Sequence, residues 1–503
     1  MDVDRRSILA AAGALPALTT LPGTLQAQPA DTAQPSDPAG PPASERLVRF
    51  ATDLCYEAIP ADVVHAAKRL LLDSLGCALA GWELPKGRLA AGLMQQLGGE
   101  PKALVIGTRR RVSATNAAFA NAELMNALDF DAIPHLPPVT IPAVLAVAEA
   151  EGLSGRQLIL GLVIAYEIGA RLSRASSQMQ AALLETNTTP EIFGINDEAI
   201  MASAMGICAM QGRHAGMTAH ALGLAGYYCP PQSSHDWETG SPKSNVKYTP
   251  VGWVAQGAVT AAMLAGTGFT ANPIVLDGPA GFPKFYGWPK WQAARAVEGL
   301  GREWRILNPD FKPYAACRYI HSRLDCVVAL VREHGIEPSR IERIVSLGPP
   351  FVANPNQHDV RTAEDAQFSI PYMLALAAMD IPIDARCQRP ELLNDPRVRA
   401  MMAKIEWGTH PRTTETKRAD PRSFIASADI FAGGARYAHE AWAASGAGAV
   451  PELRLGDDAL QRKFLDCAST RLPADQAARL AQAIWSLDEA RSIGPLMALL
   501  ETG

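Results

Sequence analysis

The chain has little that would tie it to a metal, a nucleotide or a membrane. Its eight cysteines are scattered at positions 55, 77, 208, 229, 317, 326, 387 and 467, with no CxxC pair and no Cys/His zinc spacing. That argues against a disulfide framework and a structural zinc module. GxGxxG, P-loop and GxSxG patterns are all missing, which removes the NAD, nucleotide and nucleophile-elbow hydrolase classes. No basic block stands out among 46 Lys and Arg set against 51 Asp and Glu, a formal charge of −5, so nucleic acid is not an expected partner. There is no internal repeat, and no convincing membrane span. What remains is a chain of 503 residues, 48% of them hydrophobic, which reads as a soluble globular protein of two or more domains.

The N-terminus is distinctive. Arg5 and Arg6 precede a mildly apolar run over residues 8–25, broken by Gly13, Pro16 and Pro22, and then QAQPA at 26–30. This reads as a twin-arginine export signal over residues 1–27, which carries an already folded protein to the periplasm. Residues 28–44, rich in Pro, Ala, Asp and Ser, read as a disordered linker. Two helices are predicted next, over 45–58 and from Pro60, where a missing N–H is harmless, to a stop at Gly81. Asp73 interrupts the second one's apolar end. Residues 103–106 form a brief strand or an extended link, and Ser113 or Thr115 caps a helix from Ala114. Ser154 and Gln157 make a capping box for an almost wholly apolar helix over 158–172, whose Glu167 is expected to be hydrogen-bonded to a neighbouring helix or helix end. Small-residue helices follow over 199–211, 218–225 and 253–265, with a loop over 228–246.

Beyond Gly301 the pattern changes. A helix over 319–334 precedes a β-branched segment at 341–347 and candidate strands at 401–407 and 424–431, before helices return over 457–500. Mixed elements after a helical first part predict a mainly α protein carrying a smaller α+β domain.

Residues 121–135, NAELMNALDFDAIPH, organise the rest. A helical pattern runs into Asp129 and Asp131; a turn with Pro134 follows, then His135 and a second apolar helix over 139–150. Two acids and a histidine at such a junction either serve proton chemistry, fixed by the flanking helices, or are solvated acids at a frayed helix end beside a satisfied loop histidine.

Several stretches, taken as a set, resemble the MmgE/PrpD family. They are LLLDSLGCALAG (70–81), LDFDA followed by His135, IPAVLAVAEA (141–150), AHALGLAG (219–226), Lys247 with Val251-Gly252-Trp253, DGPAGF (277–282) and KPYAACRYIHSRLD (312–325), in the family's order. The resemblance, to a family that includes 2-methylcitrate dehydratase, cis-aconitate decarboxylase and iminodisuccinate epimerase, implies a large all-α domain built from residues 45–300 and the C-terminal helices of 441–503. An α+β lid over 301–440 completes it. It also implies a homodimer, a small carboxylic acid as substrate, and no required metal or organic cofactor.

The family's reactions move a proton, or lose CO₂, at a carbon next to a carboxylate. Both build negative charge on an anion, so a site needs donors at the developing charge and a positioned acid and base. On the resemblance, Asp129 is general base or orienter of a basic side chain, and His135 is proton donor or carboxylate binder. Lys247, Lys312 and His321 bind substrate, Arg318 adds charge to the pocket, and Asp131 buttresses the loop. Helical spacing puts Cys317, His321 and Asp325 on one face, so that Asp325 orients His321 or His321 faces the lid–core cleft; Cys317 is packing.

The departures from the family pattern bear on the substrate. Ala132 and Ile133 replace an acid and a threonine, Asn126 stands where a histidine precedes LDFD, Leu136 replaces a proline, and the loop to His135 is shorter. The mid-chain site histidine falls near Phe193, and Pro250 replaces a histidine three residues after the site lysine. Each lost charge-assisted hydrogen bond is worth about 1.5–3 kcal/mol, so a compact, less charged acid fits better than methylcitrate. The expected activity is a cofactor-independent lyase, a dehydratase or decarboxylase. An epimerase using the same deprotonation, and a non-catalytic periplasmic binding protein, are the competing readings.

Overall fold

The structure, a computed structural model, describes residues 40–176, 194–195, 197–232, 234–288, 290–350 and 357–502. The expected export signal, most of the expected linker and Phe193 lie outside these residues. The described chain is mainly helical, as its periodicity predicts.

The first helix, α1 (Ala43–Asp53), starts inside the expected linker. The Asp277 carboxylate, far along the chain, accepts from the Ala43 and Ser44 N–H groups at 2.7 and 3.0 Å, capping the two orphan donors from outside the local sequence. Helix α2 (Ala61–Ala80) is buried along nearly its whole length. Helix α3 (Pro85–Leu97), which the sequence reading leaves out, begins on a proline in its first turn. Helix α4 (Ala114–Asn126) is capped by Ser113, whose side chain accepts from Asn116 N. After the opening loop come α5 (Pro137–Ala150), α6 (Gly155–Ser176), α7 (Ala199–Met210), α8 (Ala215–Tyr228) and α9 (Val251–Gly266). The Ser154–Gln157 box forms in both directions. Glu167 is spent on structure, pairing with Arg171 and accepting from the Arg305 and Ile306 N–H groups.

Gly81 does end α2, but not through a left-handed turn: its φ is −59°. A Cβ there would lie 2.1 Å from the Leu124 carbonyl oxygen. Glycine is needed because α2 and α4 touch backbone to backbone, which fixes the end of α4 and the loop beyond it. Gly81→Ala is therefore expected to destabilise by about 2 kcal/mol through overpacking. A melting temperature equal to wild type or higher would show that the two helices can part at no cost.

The later segment holds a four-stranded sheet, order β4-β3-β5-β6, made of β3 (Ile341–Gly348), β4 (Ile405–Thr409), β5 (Ala426–Ala432) and β6 (Ala435–Ala441). A separate two-stranded pair joins β1 (Ala103–Leu104) to β2 (Arg111–Val112). In the larger sheet β3 pairs parallel with β4 and antiparallel with β5. The expected strand at 401–407 is corrected: Met401 and Met402 finish the helix Pro396–Met402, whose cap Asp395 accepts from Arg397 N at 2.8 Å, and the strand starts only at Ile405. The expected loop at 228–246 contains a short helix, Ser234–Thr239. Helix α10 (His321–His334) packs on β5 and β6, against the buried alternate residues Ala426, Ala428, Ile430 and Ala432.

Two large groups of buried apolar side chains result. One joins the helices of residues 43–311 to those of 460–500; the other is built mainly from 315–432. Ala127, Leu128 and Phe130 belong to the second group although their flanking helices belong to the first. The loop singled out in the sequence thus lies where the two cores meet.

Candidate active site

Helix α4 ends at Asn126, so its last carbonyls have no partner within the helix. Five buried side chains from distant parts of the chain take the last of these, Asn126 O, and the four carbonyls that follow it, in succession. Lys247 Nζ donates to Asn126 O (3.0 Å), Gln367 Nε2 to Ala127 O (2.7 Å) and Gln388 Nε2 to Leu128 O (2.9 Å). Lys312 Nζ donates to Asp129 O (2.7 Å) and Lys463 Nζ to Phe130 O (2.7 Å). Three of these donors are ammonium groups, matching the negative end of a helix dipole. The clamp holds Asp129 at φ 54°, a left-handed backbone that aspartate tolerates better than most residues. Further on, Ile133 and Asp310 exchange backbone hydrogen bonds in both directions at 2.9 Å, which brings Lys312 beside Asp129.

The side chains converge in the same place. Lys247 Nζ lies 2.9 Å from Asp129 Oδ1, and Lys312 Nζ lies 2.8 Å from Asp129 Oδ2. The Tyr248 hydroxyl also donates to Asp129 Oδ1, at 3.2 Å, and accepts from Asn126 Nδ2 at 3.2 Å. His135 Nδ1 is 2.5 Å from Asp131 Oδ2, while its Nε2 stands 3.8 Å from Asp129 Oδ1. An ionised Asp131 can only accept, so Nδ1 carries the proton and Nε2 is left as the basic atom of the neutral ring. Of these groups only the His135 side chain keeps appreciable solvent contact, 12% against 0–1% for Asp129, Asp131, Lys247 and Lys312.

Burial pushes the Asp129 carboxyl up, but Lys247, Lys312 and His135 together hold it well below the usual carboxylate range. Asp131 is likewise raised by burial and brought below its ordinary value by His135 and the two lysines. Burial lowers Lys247 despite its bond to Asp129, and raises the Tyr248 phenol well above its normal range, with Asp129 adding to the effect. The Cys317 thiol is pushed up to about 12, first by burial and then by Asp129, which fits a packing residue.

The structure brings Asp129, His135, Lys247 and Lys312 together and sets His321 and Arg318 one layer back. His321 lies with Nε2 3.1 Å from Ala316 O and Nδ1 3.4 Å from Arg318 Nη1. Burial, then Arg318 and Lys312, hold its pKa well below the normal value. Arg318 pairs with Asp310 at 3.0 Å and donates to the Ser445 and Ala444 carbonyls. The shared helical face of Cys317, His321 and Asp325 is corrected. Residues Arg318–Ile320 form a 3₁₀ turn and α10 begins at His321, because Cys317 N is tied to Gln367 O at 2.9 Å. Asp325 does not orient His321; it accepts from the Tyr314 hydroxyl and from Ser445 N and Oγ.

Sequence reasoning missed Tyr248, Gln367, Gln388 and Lys463. Only Tyr248, adjacent to Lys247, and Lys463, foreshadowed by Asp73 inside an apolar helix, left any signal. Asp129, Asp131 and His135 offer ligand atoms within 4.8 Å of one another. A divalent cation there would meet two ammonium groups already on both oxygens of Asp129, so the donor set fits proton transfer better than metal binding.

Comparison with known proteins gives a consistent picture. The family model of the MmgE/PrpD N-terminal domain matches residues 45–292, and that of the MmgE/PrpD C-terminal domain matches residues 314–489. A cis-aconitate decarboxylase-like protein of Aspergillus oryzae is 26% identical over 505 residues, spanning 93% of this chain and 99% of its own. Cis-aconitate decarboxylase of Homo sapiens is 24% identical over 476 residues, spanning 87% and 90%. The enzyme of the same name from Aspergillus terreus is 24% identical over 391 residues, spanning 69% and 75%.

Proposed function

The chain belongs to the MmgE/PrpD family, and on that premise we propose that it is a lyase acting next to a carboxylate of a small organic acid, with His135 as the acid/base. The observation that carries this reading is the division of labour in the cluster. Asp129, held ionised between two ammonium groups, is too weak a base to abstract a carbon-bound proton. His135, positioned through Nδ1 by Asp131 and reaching solvent through its ring, is placed to do so. Asp129 is then the orienter of the two lysines.

Donor counting supports a small substrate. Each ammonium has three N–H groups. Lys247 spends two on Asn126 O and Asp129 Oδ1, and Lys312 spends two on Asp129 O and Oδ2. One N–H on each lysine is left among the described residues, enough for a single carboxylate. Asn126 Oδ1 and Asp131 Oδ1 are buried acceptors without a partner among the described residues, which favours a substrate that also carries a hydroxyl. In an elimination, His135 Nε2 takes the proton from the carbon next to the carboxylate, and the lysine N–H groups stabilise the charge that spreads onto the carboxylate. The electron pair forms the double bond as the C–O bond breaks, and the imidazolium proton leaves with hydroxide as water. In a decarboxylation the protonated imidazole instead delivers its proton to the carbanion left by CO₂.

Incubation in deuterated buffer with cis-aconitate and a series of small mono- and dicarboxylic hydroxy acids tests the proposal. Deuterium incorporation with loss of water or CO₂ is expected. Incorporation with inversion at that carbon would replace the lyase by an epimerase. Tight binding of an acid with no exchange would leave only a binding protein.

A further inference from the structure

Asp73 sits within the long apolar run of α2, 1% exposed. Its partner is Lys463 of α11 (Asp457–Ala468), whose Nζ lies 2.6 Å from Asp73 Oδ1. The same ammonium donates to Phe130 O at 2.7 Å and sits 3.9 Å above the centre of the Phe130 ring. Phe130 separates Asp129 from Asp131, so Lys463 grips the backbone between the two acids of the site. Lys312 holds the carbonyl just before it. The groups facing the pair are Cys77 on α2, Cys467 on α11, and Asp131 and Lys312 from the site. Burial raises both thiols, Cys467 to about 12 and Cys77 well above its normal value, so they stay neutral. Asp73 is the only carboxylate within salt-bridge distance of Lys463 among the described residues.

We infer that the Asp73–Lys463 pair is a positioning device for the site, one that sets the peptide between Asp129 and Asp131 and thereby aims the His135–Asp131 couple. This rests on the acid/base role given to His135 above. A buried ion pair is a poor source of stability, since an apolar pair of similar volume is often equally or more stable. Its presence here, with the ammonium spent on a loop carbonyl instead of a second carboxylate, points to geometry. It also gives the C-terminal helices a part in the site: without Lys463, nothing from them among the described residues hydrogen-bonds to the loop's backbone carbonyls at 126–130.

The test compares the wild-type protein with two double variants, Asp73→Leu/Lys463→Met and Asp73→Asn/Lys463→Gln. The readouts are titration of the His135 ring by NMR on histidine-labelled protein, which needs no substrate, and kcat and KM for the acid that the wild type turns over. For the Leu/Met variant a melting temperature at or above wild type is expected. So are a displaced His135 titration and a kcat lower by on the order of 100-fold, as misplacement of about 1 Å costs, with KM little changed. The Asn/Gln variant, which can still donate to Phe130 O, is expected to recover part of kcat. A His135 titration and kcat indistinguishable from wild type in either folded variant overturn the inference. Should Leu/Met fail to fold, Asn/Gln is read directly against wild type by the same criteria. His135→Gln run in parallel separates the two ideas: if it keeps full activity, the acid/base role falls, whatever the doubles show.

Discussion

Asp129→Asn is expected to abolish turnover and to lower the unfolding free energy by about 3–5 kcal/mol, the cost of breaking a buried ion pair from one side. Both carboxylate oxygens hold an ammonium group, at 2.9 and 2.8 Å, in surroundings with no solvent contact. An amide can accept from one lysine but turns N–H donors toward the other, so two like charges are left facing each other without a counter-ion. The pH dependence follows in sign. The folded Asp129 pKa is depressed, so its stabilisation is fully present above the unfolded carboxylate value of about 3.9. It is lost only as pH falls through the still lower folded value. In the variant the stranded Lys247, already lowered by burial, favours its neutral form. The variant's deficit should therefore shrink as pH rises from neutral toward the lysine range, while at neutral pH it is near its largest. Denaturant titrations at several pH values measure this directly. A midpoint matching wild type at neutral pH would mean that the lysines find other partners, and the clamp would lose its central claim.

What the sequence made legible, and what it did not, divides along a physical line. The acids and histidine at 129–135 stand out because polar residues between two apolar helices break a pattern, and pattern breaks are what a sequence displays. Lys247 and Lys312 were reachable only through the family resemblance; alone, each is one lysine among many. Gln367, Gln388 and Lys463 were out of reach because their partners are backbone carbonyls, which every residue possesses and no motif marks. The same reason explains the misplaced start of α10. The helical spacing of 317–325 is real, but Cys317 N bonds to Gln367 O and Ala315 N to Ile383 O. These long-range bonds keep the chain out of the helix through Cys317, before the 3₁₀ turn that leads into His321. Gly81 marks the end of α2 in the sequence, yet the glycine answers to a close approach of two helices and not to a left-handed turn. Local preference thus located most elements, and the contacts that cross between the two cores decided the site.

One of the departures from the family pattern is explained in this light. Asn126, where a histidine is usual, has no titratable group to give, yet it binds the Tyr248 hydroxyl, and through it Asp129 Oδ1. The Tyr248 ring lies 5.0 Å from the His135 ring, so the tyrosine lines one side of the imidazole that it helps to orient. A site with fewer titrating groups concentrates the chemistry on the one that remains open to solvent.

That concentration makes His135→Gln the sharpest test of the chemistry. Turnover, measured as deuterium exchange or product release, is expected to fall by about a hundred- to ten-thousand-fold, the range for losing a general acid/base. Stability should change little, because a glutamine amide can still donate to the Asp131 carboxylate that His135 Nδ1 now meets at 2.5 Å. Asp131→Asn is the companion. It leaves a side chain of the same shape but lets the imidazole place its proton on Nε2, so the basic atom turns away from the substrate side and turnover should fall while substrate affinity is retained. Since Asp131 is held below its ordinary pKa by His135 and the lysines, despite burial, it stays ionised through the acid range in which enzymes are assayed. An acid-side limb in the pH–rate profile is then not that of Asp131, and it should vanish in His135→Gln. If that limb persists unchanged in the variant, the proton is being moved by another group, and the role assigned to His135 is wrong.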